Sequence, residues 1–272
     1  MSVSLEGAVA CVTGGGRGIG KATAEALARA GARVLIGDVD LGPAQAVADA
    51  IGTTATAVRV DVADPASFAR FVEAALQLGP IDVLVNNAGI QRTGAFVDQD
   101  LELQLREIAI NLGGVVVGTR LVLPSMLARN QGHIVNVASM AAKMTVPGAA
   151  VYSASKFGVA SLSRAIRSEI AESNVTITTV LPSAVQTDLT AGLDIRGVPT
   201  SRPSDIAREI VASCEHGRPE VTVPRWLAPV GVVESGVPER WAERLKRAVG
   251  AQKRITAKNE TTRAYQARTA RS

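Results

Sequence analysis

Tyr152 and Lys156 are separated by three residues in Tyr152-Ser153-Ala154-Ser155-Lys156, a spacing that puts both side chains on one face of a helix. An ammonium held there stabilises phenolate and draws a tyrosine pKa down from about 10 toward working pH. A general acid/base needs this to move a proton on and off a secondary alcohol. The chain has only two tyrosines, Tyr152 and Tyr265. A Tyr/Lys pair alone is common and mostly structural, so the assignment needs partners elsewhere in the chain. One is Thr13-Gly14-Gly15-Gly16-Arg17-Gly18-Ile19-Gly20, which follows an apolar strand pattern and opens a helical one. Glycines there let the backbone approach a ligand, and the helix N-terminus offers free N–H groups to a pyrophosphate. Asp38, twenty residues after Gly18, ends the second predicted strand. Its carboxylate could accept hydrogen bonds from an adenosine ribose and would repel a 2′-phosphate, favouring NAD over NADP. Arg17 points the other way, as a possible partner for such a phosphate. Asp61 and Val62, at the end of the third predicted strand, could meet the adenine edge, with helix capping by a nearby acid as the competing use.

These groups need a scaffold that brings them to one edge. Strand patterns over Ala8–Val12, Arg33–Gly37, Ala57–Val60, Asp82–Val85, Ile134–Ala138 and Thr176–Leu181 alternate with helical patterns near Ile19–Ala30, Gly42–Ile51, Pro65–Leu78, Leu101–Ala128 and Ser153–Ser173. Near-continuous apolar strands alternating with helices predict an α/β, Rossmann-type fold, with a doubly wound parallel sheet in three αβα layers and a single domain. Gly31 suits a left-handed position closing the first helix. Residues 183–203 lose this pattern, and the stretch near 188–203 is expected to act as a substrate lid. Ser204 is the expected N-cap of a helix to about Cys214, followed by a strand at Glu220–Pro224 and a last helix over Pro238–Gly250. The catalytic domain thus spans residues 1–250, with a basic, disordered tail over 251–272.

Taken together, the motifs resemble the short-chain dehydrogenase/reductase family over residues 5 to about 224. The glycine loop is similar to that family's T-G-x-x-x-G-x-G. Asn86-Asn87-Ala88-Gly89 is similar to its N-N-A-G, Asn111 stands where its active-site asparagine does, and Ser139 precedes Tyr152 by thirteen residues as its serine does. The resemblance implies that Tyr152 exchanges the proton and that Lys156 depresses the Tyr152 pKa and holds the nicotinamide ribose. It implies that Ser139 donates to the substrate oxygen and that Asn111 anchors a water leading to Lys156. It also implies a cofactor site from Gly14, Arg17, Gly18, Ile19, Gly20, Asp38, Asp61, Val62, Asn87, Ala88, Gly89, Tyr152, Lys156, Pro182, Val185 and Thr187. Hydride transfer between NAD(H) and a secondary alcohol or ketone is the activity implied, the alternative being an NADPH-dependent 3-oxoacyl or carbonyl reductase. A non-catalytic dinucleotide-binding scaffold is the rival of another class, disfavoured because a sensor needs no proton relay. One departure stands out: Ser183 follows Pro182 where the family has glycine.

Composition bounds the rest. The net charge of +4 hides a tail, Glu239–Ser272, whose ten basic and three acidic residues carry +7, so the body carries −3. A solvated face is the expected role of that charge, ahead of peripheral membrane contact, and nucleic-acid binding is not expected because no aromatic interleaving accompanies it. No secretory leader and no membrane-spanning segment are read, Cys11 and Cys214 are expected as buried thiols, and the expected location is the cytoplasm. No metal site is expected, since His133 and His216 lack ligand-like neighbours. Trp226 and Trp241 are expected to pack in the interior. Met140, Met144 and Val146, with Leu189, Leu193 and Ile195, lean toward an apolar substrate, with core packing as an equal competitor. The chain is expected to form a homo-oligomer, a dimer or a tetramer, with a dimer through the long helices favoured.

Overall fold

The computed structural model describes residues 3–185, 187 and 199–229. Seven strands form one parallel sheet: β1 (Val9–Thr13), β2 (Arg33–Asp38), β3 (Ala55–Arg59), β4 (Ile81–Asn86), β5 (His133–Val137), β6 (Thr176–Pro182) and β9 (Glu220–Val223), in the order β3-β2-β1-β4-β5-β6-β9. A two-residue pair, β7 (Ala184–Val185) with β8 (Thr200–Ser201), stands apart from it. Among the described residues, seven α-helices accompany the strands: α1 (Gly18–Arg29), α2 (Leu41–Ile51), α3 (Pro65–Leu76), α4 (Leu101–Ile108), α5 (Gly114–Ala128), α6 (Ala150–Glu169) and α7 (Pro203–His216).

Strand periodicity explains the layers. Successive side chains point to opposite faces, so Ala10, Val12, Val34, Ile36, Val83 and Val85 join one core, with Leu27 of α1 and Ile206 of α7. The intervening Cys11, Leu35 and Leu84 join another, against Phe68 and Phe71 of α3 and Val122 and Met126 of α5. Two covered faces are why the strands read as unbroken apolar runs. Both cysteines are buried, and desolvation pushes each thiol up to about 12.

Four expectations are corrected. The predicted helix over Leu101–Ala128 is interrupted by a π turn at Ala109–Gly113, where the Gly114 N–H reaches back to Ala109 O. By length and apolar composition this helix could cross a membrane, but its Val115, Thr119, Val122 and Met126 face is buried in the protein. Helix α7 begins at Pro203 rather than after Ser204. Proline has no N–H to lose at a first helical position, and the Asp205 carboxylate accepts the Arg202 N–H at 3.1 Å. Trp226 is 64% exposed rather than packed inside. Strand β3 stops at Arg59, so Asp61 and Val62 follow the sheet instead of ending it. Most of the expected lid, the helix over Pro238–Gly250 with Trp241, and the tail over 251–272 lie outside the described residues.

Candidate active site

The strand order reverses between β1 and β4, and the carboxyl ends of β1, β2, β4, β5 and β6 carry most of the residues singled out above. A crevice for a ligand forms at such a switch point. At its β1 side the glycine loop turns through positive φ at Gly14 (63°) and Gly18 (53°), a region glycine enters without steric cost. A Cβ at Gly20 would run into Gly14 O and lie 2.6 Å from Asn87 Nδ2. The loop therefore packs directly on the chain that follows β4. Asn87 Nδ2 donates to Thr13 O (2.9 Å) and Gly14 O (3.1 Å), while Thr13 Oγ1 accepts the N–H groups of Asn87 (3.1 Å) and Ala88 (3.2 Å). Asn87 and Ala88 thus brace the loop.

Helix α1 starts with no side-chain cap at Arg17 and no acidic residue in its first turn. Its amide dipoles face outward, which suits a pyrophosphate. Thr187 lies over this end, with its Cγ2 3.1 Å from where a Gly18 Cβ would stand. Asp38 is buried at the end of β2, its Oδ2 accepting the Gly16 N–H at 2.9 Å and its Oδ1 the Asp40 N–H at 3.1 Å. Each oxygen keeps lone pairs for a ribose hydroxyl. Arg17 is paired with Asp40 at 2.9 Å. Asp40 was missed in the sequence, although a second acid two residues after Asp38 was a visible signal. Asp61 is engaged by Arg106 at 2.6 Å and by the Ala63 N–H at 3.0 Å, and Val62 packs against Gly114. The nearby acid that caps a helix is Asp64, which accepts the Ala66 N–H at the start of α3.

The catalytic candidates meet on the other side. Tyr152 and Lys156 lie on the first turns of α6, both buried, with Lys156 Nζ 5.8 Å from the centre of the Tyr152 ring. Nζ donates to Val137 O at 2.9 Å. Burial lowers the Lys156 pKa to about 8, with Glu107 opposing the shift. A Cβ at Gly89 would stand 3.1 Å from Asn111 Oδ1 and 3.5 Å from Lys156 Nζ, so these three residues converge. Asn111 sits in the π turn with its side-chain amide engaged. Oδ1 accepts the Ile90 N–H (2.8 Å), and Nδ2 donates to Ile90 O (2.9 Å) and Ser155 Oγ (3.1 Å). Ser155 Oγ in turn donates to Tyr152 O at 2.7 Å, so Asn111 steadies the turn that carries Tyr152. Ser139 follows β5 and its Oγ accepts the Ala141 N–H at 3.1 Å, leaving its own proton to donate. Val146 packs beside Tyr152, whereas Met140 is buried with Val159 and Leu181.

At the end of β6, Ser183 has no need of a glycine conformation. Asn130 is the only non-glycine with positive φ among the described residues, and the Ser183 N–H donates to Val223 O at 2.8 Å. Val185 is buried in β7. Sequence reasoning also missed a buried polar line behind the site. Asn86 Nδ2 donates to Asn136 Oδ1 (2.9 Å), and Asn136 Nδ2 to Ser163 Oγ (2.9 Å), joining β4, β5 and α6. Asn86 was visible inside the N-N-A-G motif, but Asn136 and Ser163 had no local signal. No group of metal ligands occurs among the described residues.

The family model for short chain dehydrogenase matches residues 8–195. The chain belongs to the short chain dehydrogenase family. This member is 36% identical over 219 residues to the 3-oxoacyl-[acyl-carrier-protein] reductase FabG of Vibrio cholerae, covering 78% of this chain and 89% of the relative. It is 37% identical over 222 residues to a 3-oxoacyl-[acyl-carrier-protein] reductase of Synechocystis, covering 76% and 89%. A crystal structure of a short chain dehydrogenase/reductase from Burkholderia phymatum in complex with NAD superimposes with a TM-score of 0.78 at 25% identity, over 84% of this chain and 93% of that one. This short chain dehydrogenase is therefore an oxidoreductase with a Rossmann-type nucleotide-binding fold.

Proposed function

We propose that this short chain dehydrogenase interconverts a secondary alcohol and a ketone with NAD(H), and that Tyr152 carries the proton. The buried Tyr152–Lys156 pair is the observation that supports this most directly. A lysine with its pKa lowered to about 8 holds an ammonium through neutral pH, where it stabilises phenolate. Bound in the crevice, the nicotinamide supplies the hydride donor or acceptor. The uncapped start of α1, the Gly14–Gly20 loop, Asp38 and Thr187 would hold the dinucleotide, and Lys156 its second ribose. In reduction Tyr152 gives its proton to the substrate oxygen, and in oxidation it takes the alcohol proton. Ser139 donates to the same oxygen as charge develops. Asn111 contributes through Ser155 and the Gly89–Ile90 turn, and any water it anchors must share a site already crowded with protein bonds. Residues 1–250 would form one catalytic unit, with a substrate lid near 188–203 and a basic tail over 251–272.

The choice of NAD rests on Asp38 and on the Arg17–Asp40 pair. With Asp40 beside it, Arg17 brings little net positive charge to a 2′-phosphate, and Asp38 would repel one. The names of the Vibrio and Synechocystis relatives favour a second reading, reduction of a 3-oxoacyl group. The exposed Leu101, Leu105, Val116, Leu121 and Phe157 along α4, α5 and α6 support a dimer through these helices. Fluorescence titration with NADH and NADPH tests the cofactor assignment. Tighter NADH binding, with NADPH gaining on it in Asp38→Asn, is expected. Tighter NADPH binding by the wild type would overturn the assignment and favour the 3-oxoacyl reading.

A further inference from the structure

Glu107 has no part in the chemistry above, yet it lies directly behind it. It is fully buried on α4, one helical turn before Asn111. Its Oε1 accepts the Arg92 N–H at 3.1 Å, just as Asn111 Oδ1 accepts the Ile90 N–H at 2.8 Å. Two side chains four apart on a helix thus hold alternate N–H groups of one segment after β4, residues 90–92. Glu107 Oε2 is buried and has no hydrogen-bond partner. A bare buried carboxylate oxygen is a costly way to accept one backbone N–H, which a glutamine would accept equally well. Among the described residues, the charged groups that act on Glu107 are Arg92, from the loop after β4, and Lys156, from α6. Tyr152 shares the Lys156 face of that helix.

We propose that Glu107 is a positioning residue of the Tyr152–Lys156 site, whose buried carboxylate completes the clamp on residues 90–92 and, when ionised, holds the charge on Lys156. This rests on the catalytic reading of that pair, but its physical content is an electrostatic coupling that exists without turnover. Burial raises the Glu107 pKa to about 7, against the backbone hydrogen bond from Arg92 and the charges of Arg92 and Lys156. The negative charge behind Lys156 is therefore fully present only on the alkaline side of neutrality. There it opposes loss of the ammonium that the phenolate requires.

The test is a pH titration of the Lys156 side chain by NMR in full-length protein labelled with 13C-lysine, its resonance assigned with Lys156→Met. Glu107→Gln keeps the acceptor for the Arg92 N–H and removes the charge. The Lys156 midpoint is expected about one pH unit lower in Glu107→Gln than in wild type. Identical midpoints would reduce Glu107 to a structural anchor and overturn the proposal. A second measurement needs no variant: infrared titration of the wild type should show a buried carboxylic-acid carbonyl band fading with a midpoint near 7. A band that persists undiminished above about pH 9, from a carboxyl that never ionises beside Lys156, would also overturn it. Neither readout depends on activity, so a failure here is distinct from a failure of Tyr152 as proton donor.

Discussion

The β1–β2 side of the crevice and the β4–β6 side are built on different principles. On the first, Thr13 to Gly20 act through backbone, with positive φ at Gly14 and Gly18 and an uncapped helix start, beside one carboxylate, Asp38, pinned by the Gly16 N–H. On the second, the active groups are side chains buried in the protein, held by a polar network running through Ile90, Asn111, Ser155 and Tyr152. The first side's own residues, Thr13 to Asp38, lie within about one βαβ unit of sequence, although Asn87 and Ala88 brace the loop from beyond β4. The second is joined by side-chain bonds up to 50 positions apart, as between Asn86 and Asn136. On the reading proposed above, the dinucleotide meets mostly a local motif, whereas the proton donor depends on the packed interior. Substitutions on the two sides should accordingly fail in different ways.

The largest separation is expected from Tyr152→Phe. Turnover of a secondary alcohol with NAD should fall by about 10³-fold, within the range for removing a general acid/base. NADH affinity by fluorescence should stay within a few-fold, because the β1–β2 side is untouched. Retained wild-type turnover would remove Tyr152 as the proton donor.

Next comes a stability effect in the β5 region. His133 is buried, with its ring nitrogens 2.7 Å from Thr176 Oγ1 and 2.9 Å from Ser213 Oγ, and burial lowers its pKa from 6.5 to about 4. A folded-state pKa below the unfolded one means stability present above pH 6.5 and lost as pH falls through about 4. The loss amounts to about 3 kcal/mol. Urea unfolding between pH 7 and pH 4 should therefore fall more steeply for wild type than for His133→Gln, and parallel curves would contradict the assignment.

A smaller cost, about 2 kcal/mol, is expected when Gly20→Ala overpacks the loop against Gly14 O and Asn87. Here NADH binding should weaken together with stability, the reverse of Tyr152→Phe. Thermal melts with and without NADH would show both effects, and undiminished stabilisation by NADH would mean the loop is not the cofactor's seat. The smallest shift should come from Asp40→Asn. The Arg17–Asp40 pair is partly exposed, with side-chain exposures of 39% and 45%, so its contribution is at most about 1 kcal/mol. Freeing Arg17 should move the NADPH-to-NADH affinity ratio up by no more than about 5-fold. A fall in that ratio would take Arg17 out of cofactor discrimination.

The residues of one chain determined much of this. Apolar runs of strand length alternating with amphipathic stretches specify a doubly wound sheet, because each strand must fill both faces. The glycine loop, Asp38, and the i, i+4 spacing of Tyr152 and Lys156 are local patterns whose geometry follows from backbone conformation alone. Tertiary structure decided what local pattern cannot encode. It paired Arg17 with Asp40, engaged Asp61 with Arg106, and turned Asn111 toward Ile90 and Ser155 through a π turn that periodicity reads as plain helix. It also buried Glu107 behind Lys156, although in the sequence Glu107 reads as one more polar residue of an amphipathic helix. Charges and hydrogen bonds act through distance and desolvation, and both are set only when separate elements pack together.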